Sequence, residues 1–521
     1  MRVFNVTGTC NPGRHYMVDV GKKLEKIKAM VDKGQYFTIN RARQYGKTTT
    51  LHLLEKVLAP AYLCIRISFE GVGGSMFLSE ENFCKQFLVF MAERVKYQQE
   101  GLEALWLNDE VDSFIKLDRH LNRICEGQKI VLMIDETDKT SNNTIFLYFI
   151  GMLRNKYLDR DAAGVNTFHS VILAGVYDIK NIKLKLKNEG NYNEKEAGSV
   201  LNSPWNIAAD FNVDMSFDAD EIAFMLKNYE RDHQIGMDIM GVAAEIYDFT
   251  SGYPFLVSRI CKCIDEELEK NWSKQGVTEA VRVIVSGTNL LFDDIIKNLV
   301  NNEHVSTIMR TLLMKGSLSG MSIHNPHVNM CIMYGYLKVD KFSNIEIANK
   351  MFAKVMLSYF MSLEWLAAEQ LRVCGGEAED IVADGKLNME AVLTKFAKFY
   401  GELVTDRDFN FLEKDGRLIF LMYLNPIING GGFFHIESQL TDLRRMDIVV
   451  DYGQEQFIIE LKIWRGEGAR DKAYAQLLGY MNAKGRDVGY LLTFDFRKEG
   501  TRKKKAEWVQ IGDKKILDVI V

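Results

Sequence analysis

Two groups of residues in this chain have the types and spacing for phosphate chemistry. One lies in FIIELKIWRG, Phe457–Gly466. The run is apolar and β-prone, yet Glu460 and Lys462 stand two apart in it, and in a strand residues i and i+2 share a face. A carboxylate and an ammonium on one buried face cost free energy unless they pair or hold a metal. Asp447, in RRMDIVVDY, precedes Glu460 by thirteen residues, with YGQEQ between the two runs. Runs joined that way form a hairpin, which predicts Asp447 alongside Glu460 and Lys462. Oxygen ligands from Asp447 and Glu460 suit Mg²⁺ or Mn²⁺, and Lys462 would position a water or stabilise developing charge. The segment AYAQLLGYM then reads as helix, with Gln476 and Tyr480 at i and i+4 on one face. For the pair alone, the competing explanation is a salt-bridged strand.

The other group is NRARQYGKTTT, between the strand QYFTIN and the helix KTTTLHLLEKVL. A turn at a helix N-terminus offers backbone N–H groups and the positive end of the dipole to phosphate. Here Gly46 lets the backbone approach, Lys47 reaches the β- and γ-phosphates, and Thr48 ligates Mg²⁺. Arg43, Gln44, Tyr45 and Thr49 complete the loop, and Arg41 stands where GxxxxGK[ST] has its first glycine. Further on, IVLMIDE is an apolar run closed by two acids. Asp135 would hold the Mg²⁺ and Glu136 would polarise the attacking water. Either acid alone reads as a solvated strand end; downstream of GKT they predict bound ATP with Mg²⁺.

The elements that must position these groups follow from hydrophobic period. QYFTIN, AYLCIRISF, KIVLMID and FHSVILAG alternate with helical stretches, which predicts an α/β domain with a mainly parallel sheet. From about residue 216 the period turns helical over Asp218–Asp232, Asp238–Thr250 and Pro254–Glu269. Residues 300–360 read as a helical unit with the hairpin MYGYLKVDKFSNIEIANKMF, a winged-helix pattern. CGGEAEDIVADGK marks a boundary, and the last region opens with a helix before β-hairpin and βαβ character. The expected domains are a P-loop core over 1–216, a helical region over 217–300, a winged-helix connector over 301–373, a linker over 374–386, and an α/β region over 387–521; the resemblances given below imply that the second is a lid and the last a nuclease-like domain.

Composition agrees with this. The 521 residues exceed one hydrophobic core. The 47% hydrophobic and 26% charged content is that of a globular protein, and 6 prolines leave little for extended linkers. A net charge of −5 confines nucleic-acid contact to local basic patches, of which TRKKKAEW with Arg497 and Lys498 is the densest. Its alternative is a solvated charged face. The 8 cysteines contain no CxxC pair, no run of eighteen apolar residues occurs, and the first residues lack a signal-peptide h-region. The expectation is a cytoplasmic protein without membrane contact. Tyr177 and Asp178, after VILAG, sit at a strand end where a sensor role and a bland one weigh equally; His435 reads as a packed strand residue.

RARQYGKTTT, the IDETD segment, SPWNIAADFNV and DADEIAFML resemble the AAA-ATPase-like proteins of bacteria and archaea, over roughly residues 10–360. In that family the loop commonly lacks its first glycine and carries R-x-x-GK[ST]. TSGYPFLVSRIC resembles the lid-helix motif, which makes Arg259 a sensor candidate with a surface arginine as the alternative; Arg154 is the candidate arginine finger. The order D-x12-E-x-K then Q-x3-Y, in IIELKIWRG and AYAQLLGYM followed by GYLLTFDFR, resembles PD-(D/E)XK nucleases of the RecB-like branch over about 405–500. The resemblance implies an α/β restriction-endonuclease-like fold in which Gln476 and Tyr480 orient the site and contact the DNA backbone. Arg445-Met446-Asp447 departs from the family's Gly-Arg, and its extra glutamate falls to Glu413 or Glu437.

Together these imply ATP binding, and hydrolysis, coupled to Mg²⁺- or Mn²⁺-dependent cleavage of nucleic acid, DNA before RNA. The biological setting that such fusions imply is foreign or mobile DNA. A neighbour's arginine at the ATP site would require a homo-oligomer. Two rivals stand beside this reading: a nucleotide-switched DNA-binding regulator with a non-cleaving nuclease fold, and an ATPase acting on a protein partner.

Overall fold

The structure, a computed structural model, describes residues 2–96, 101–108, 110–137, 144–176, 205–315, 318, 321–340, 343–367, 381–383, 386–403, 413–428, 432–435, 448–495, 497 and 505–521. The chain divides into two compact units, 1–270 with 329–335, and 271–328 with 336–521. The cut falls inside the 217–300 stretch expected as lid. Helical period alone does not say which neighbour a helix packs against.

In the first unit the order is α1 (Gly21–Asp32), β1 (Phe37–Asn40), α2 (Lys47–Leu58), β2 (Leu63–Ser68), α3 (Glu80–Lys96) and α4 (Phe114–Ile124). Then come β3 (Ile130–Asp135), α5 (Thr144–Ala163), β4 (Ser170–Gly175), α6 (Ala219–His233), α7 (Ile239–Thr250) and α8 (Pro254–Glu266). The four strands form a parallel sheet in the order β1-β4-β3-β2, with helices between them in a mixed α/β arrangement. All of β3 is buried, because both faces are covered: Ile130, Leu132 and Ile134 pack into one core, Val131 and Met133 into the other. One strand, β4, stands between β1 and β3, so the segments that follow them open at the same carboxyl edge. α6 begins with a capping box, Asp218 accepting from the Glu221 N–H while Glu221 accepts from that of Asp218.

The second unit contains α9 (Lys274–Ser286), α10 (Leu290–Asn301) and α11 (Glu303–Lys315), with α12 (Pro326–Met333) shared between the units. A hairpin of β5 (Leu337–Val339) and β6 (Ile345–Ile347) leads into α13 (Lys350–Ala367). The strands β7 (Val382–Ala383) and β8 (Lys386–Leu387) precede α14 (Met389–Leu403) and α15 (Glu413–Ile428). The remainder is β9 (Gly432–His435), β10 (Ile448–Tyr452), β11 (Glu455–Ile463), α16 (Glu467–Lys484), β12 (Val488–Phe494), β13 (Lys505–Ile511) and β14 (Lys514–Ile520). These strands make one mixed sheet in the order β13-β14-β12-β11-β10-β9, with β11, β12 and β14 parallel. β10 and β11 are an antiparallel hairpin closed by Gly453, at φ 58, and Gln454; glycine first in a two-residue loop suits the strand twist. Ala473, Leu477, Tyr480 and Met481 of α16 pack on Val449, Ile458 and Leu491. No helix among the described residues is long and apolar enough to cross a membrane.

Candidate functional site

The loop after β1 is built around two left-handed backbones, Gln44 at φ 56 and Gly46 at φ 78. Gly46 is the N-cap of α2 and contributes no side-chain cap, so the first N–H groups of the helix are left for another acceptor. The buried Lys47 donates its ammonium to the Arg41 carbonyl at 2.9 Å and the Ala42 carbonyl at 3.0 Å, within the same loop. Thr48 donates its hydroxyl to Asp135 Oδ2 at 2.7 Å, joining the two residues expected to hold Mg²⁺. Asp135 is 2% exposed, and its other oxygen accepts the Glu136 N–H at 3.0 Å. Glu136 sits at φ 57, directly beyond the strand end. Two hard oxygen donors at a phosphate-facing helix start fit the Mg²⁺ of a nucleotide.

Other expected residues have less direct places. Thr49 Oγ1 accepts the Cys10 N–H at 3.1 Å, which ties the N-terminal segment to α2. Tyr253, before α8, donates its hydroxyl to the Arg43 carbonyl and sets its ring edge-on to Tyr45 at 4.7 Å. Burial, then the charge of Asp214, pushes the Tyr45 hydroxyl up to about 12, so it stays protonated. Arg41 turns to the Val213 carbonyl at 2.7 Å and lies over the Phe211 ring. Burial holds its pKa below the ordinary value. Arg259 pairs with Glu267 at 2.7 Å, and Arg154 donates to Asn206 at 2.6 Å.

The second group lies on the mixed sheet. Glu460 is 0% exposed and its Oε1 meets Lys462 Nζ at 2.5 Å. Ile458, Glu460 and Lys462 share a face, and Glu460 stands beside Leu491 in the ladder with β12. Ile458 and Leu491 both lie in the core under α16, so the acid faces the helix that carries Gln476 and Tyr480. Gln476 Nε2 donates to the Tyr480 hydroxyl at 2.6 Å, as i,i+4 spacing implies. Tyr480 is 0% exposed. Its hydroxyl accepts from Gln476 within the core under α16. The β10–β11 ladder runs from Tyr452↔Glu455 to Ile448↔Ile459; Asp447 lies outside the described residues. So do Tyr177, Asp178, Glu437, Lys498 and residues 501–504 of the basic run; for Glu413 and His435 only the backbone is described. Among the described residues no three His, Cys, Asp or Glu side chains converge as a metal cluster. One buried carboxylate with an adjoining lysine fits half of a hard-cation site.

The reading from sequence missed a further cluster. Arg470 on α16 donates from Nε to Asp518 Oδ2 at 2.6 Å and from an amino nitrogen to Glu507 at 3.1 Å, and Tyr474 donates to the same Asp518 oxygen at 2.5 Å. Burial acts against the Arg470 charge, but the hydrogen bond and charge of Asp518 outweigh it and hold the pKa above its ordinary value. Asp518 and Glu507 lie 48 and 37 residues from Arg470 in the chain, a separation with no local signal.

Residues 433–504 match the PD-(D/E)XK nuclease superfamily, and the C-terminal part of the chain carries that domain. Solved structures similar to the N-terminal part include the Walker-type ATPase of Pyrococcus abyssi (14% identity, TM-score 0.47, 68% of this chain and 99% of that one). The ORC1 protein of Aeropyrum pernix in complex with DNA matches at 12% identity and TM-score 0.28, over 67% of this chain and 94% of that one. The ORC2 protein of the same organism in its ADP form matches at 10% and 0.37, over 68% and 97%. No curated protein matches the chain. All three TM-scores lie below 0.5, and the phosphate-binding features of the first unit are those of its own sheet order and loop.

Proposed function

We propose that this protein binds and hydrolyses ATP at the loop after β1, and that nucleotide controls a metal-dependent cleavage of nucleic acid, DNA by preference, on the mixed sheet. The observation that carries the cleavage reading is the wholly buried Glu460 with Lys462, facing the Gln476–Tyr480 pair inside the matched region. In this reading Asp447, which the D-x12-E-x-K spacing pairs with Glu460, joins it in holding Mg²⁺ or Mn²⁺. A divalent ion so held supplies charge to a phosphodiester and acidity to a water. Lys462 orients that water or offsets negative charge as it develops, and Tyr480 fixes the Gln476 amide. In the first unit Lys47 and the α2 N–H groups hold phosphate, Thr48 and Asp135 hold Mg²⁺, and Glu136 orients the hydrolytic water. The protein would work in the cytoplasm, on foreign or mobile DNA.

One observation favours a second reading: Lys462 on Glu460 at 2.5 Å is also what a plain structural ion pair shows, which fits a DNA-binding module that does not cut. The deciding experiment is a cleavage assay on single- and double-stranded DNA and on RNA, with Mg²⁺ or Mn²⁺ and with or without ATP. Cleavage by the wild type that disappears in Glu460→Gln supports the first reading. Equal products from both proteins, or none from the wild type with ATPase activity intact, sinks it.

A further inference from the structure

A cleft of about 230 Å³ opens at the carboxyl ends of β11 and β12, lined among others by Lys462, Trp464, Arg465, Gly466, Arg470 and Thr493. Three of these are cations, and Arg465 and Arg470 have no part in the cleavage chemistry above. Arg470 is braced: Asp518, itself 1% exposed, takes its Nε at 2.6 Å and one amino nitrogen at 2.5 Å. The plane of the guanidinium is thereby fixed. Its other amino nitrogen has Glu467 at 3.5 Å and the braced one also has Glu507 at 3.1 Å, side chains 60% and 36% exposed that an entering anion would displace. A guanidinium held along one edge presents the other to a planar or tetrahedral oxyanion with little further loss of entropy. Gly466, at φ 100, caps α16 without a side-chain bond, so first-turn N–H groups add to the same opening. The volume lies below the roughly 300–1,000 Å³ of pockets that enclose small molecules. A phosphate with part of its sugar fits, and a whole nucleotide does not.

We propose that this cleft binds a backbone phosphate of the nucleic-acid strand next to the one cut, with Arg470 and Arg465 as the binding residues and Trp464 as a wall. The proposal rests on the nuclease reading of the adjoining Glu460–Lys462 pair and adds where the strand is gripped. Contacts to phosphate position a strand and carry no sequence information, so the grip serves any sequence.

The test is fluorescence anisotropy of the full chain with labelled DNA of about 20 nucleotides, single- and double-stranded, in Ca²⁺ over a salt series. Arg465 is exposed, so Arg465→Gln leaves the fold intact; Arg470→Gln is the stronger variant, checked by thermal melting because it leaves Asp518 with fewer partners. Expected are losses of affinity of about threefold to tenfold, equal across sequences, with the slope of log Kd against log salt reduced by about 1 for each variant. Wild-type affinity and slope in both variants, with the wild type binding and cutting, overturns this proposal alone. A wild type that neither binds nor cuts overturns it together with the nuclease reading. If Arg470→Gln unfolds, Arg465→Gln decides.

Discussion

Glu460 and Lys462 make opposite demands on the protein, and their variants separate the readings. Glu460→Gln keeps the shape and removes the charge, so the fold should survive while metal-dependent cleavage drops by about 10²–10³ or more, the scale of losing one preorganised charge at a reacting centre. Initial rates on labelled DNA in Mg²⁺ check this. Lys462→Ala does the reverse: it strips the ammonium from a carboxylate that is 0% exposed. Breaking a buried pair costs about 3–5 kcal/mol, and the lower end applies because Lys462 keeps 28% of its side chain exposed. If Glu460 belongs to a cation site, Mg²⁺ should recover part of the lost melting temperature, since a ligand bound to the folded state stabilises it. A melting point of Lys462→Ala indifferent to Mg²⁺ up to 20 mM would count for the plain ion pair.

At the scale of elements, the turn between α7 and α8 has the tightest requirement. Gly252 sits at φ 72, and a Cβ there would lie 1.8 Å from the Phe217 carbonyl oxygen. Gly252→Ala therefore fails on both conformation and space, and a loss of several kcal/mol is expected by urea titration. Because the next residue, Tyr253, holds Arg43 and Tyr45, ATP affinity should fall as well. In the second unit, burial, then the charge of Arg282, lowers the Lys354 pKa to about 8. Below pH 8 the folded state carries an ammonium the unfolded chain holds more easily; stability should rise as pH climbs from about 8 towards the ordinary lysine pKa of about 10.4. Lys354→Met should raise the melting temperature at pH 7 and lose most of that gain by pH 10. The strands of the parallel sheet and β9 to β12 of the mixed one were legible because buried β-runs are short, apolar and bounded, whereas β13, polar and largely exposed, and β14 were not read as strands. The Tyr253 clasp and the braced Arg470 were not legible either, because each joins residues far apart in the chain whose types suit many partners. The i,i+4 spacing of Gln476 and Tyr480 anticipated their hydrogen bond, but spacing cannot say whether a face is buried.

At the scale of the whole molecule, the two proposed sites lie in separate compact units of one chain, and the question is whether they exchange free energy. Linkage gives a test that needs no knowledge of the path. If ATP changes DNA affinity by a factor, DNA must change ATP affinity by the same factor, and allosteric pairs commonly show about 5- to 150-fold. Glu460→Gln, expected to bind DNA without cutting it, is the protein for this measurement. Its DNA Kd with and without ATP, and its ATP Kd with and without DNA, should shift equally. Adding Lys47→Ala removes the ammonium that holds the Arg41 and Ala42 carbonyls; ATP affinity should fall at least tenfold, and the effect of ATP on DNA binding should vanish while basal DNA affinity stays. A DNA Kd identical at zero and saturating ATP would make the units independent in binding, and nucleotide control would then have to act on the rate of cleavage alone. That remainder is measurable in the wild type as a cleavage rate that changes with ATP at saturating DNA, and if this rate too is flat, the coupling half of the proposal falls while both sites keep their separate chemistry.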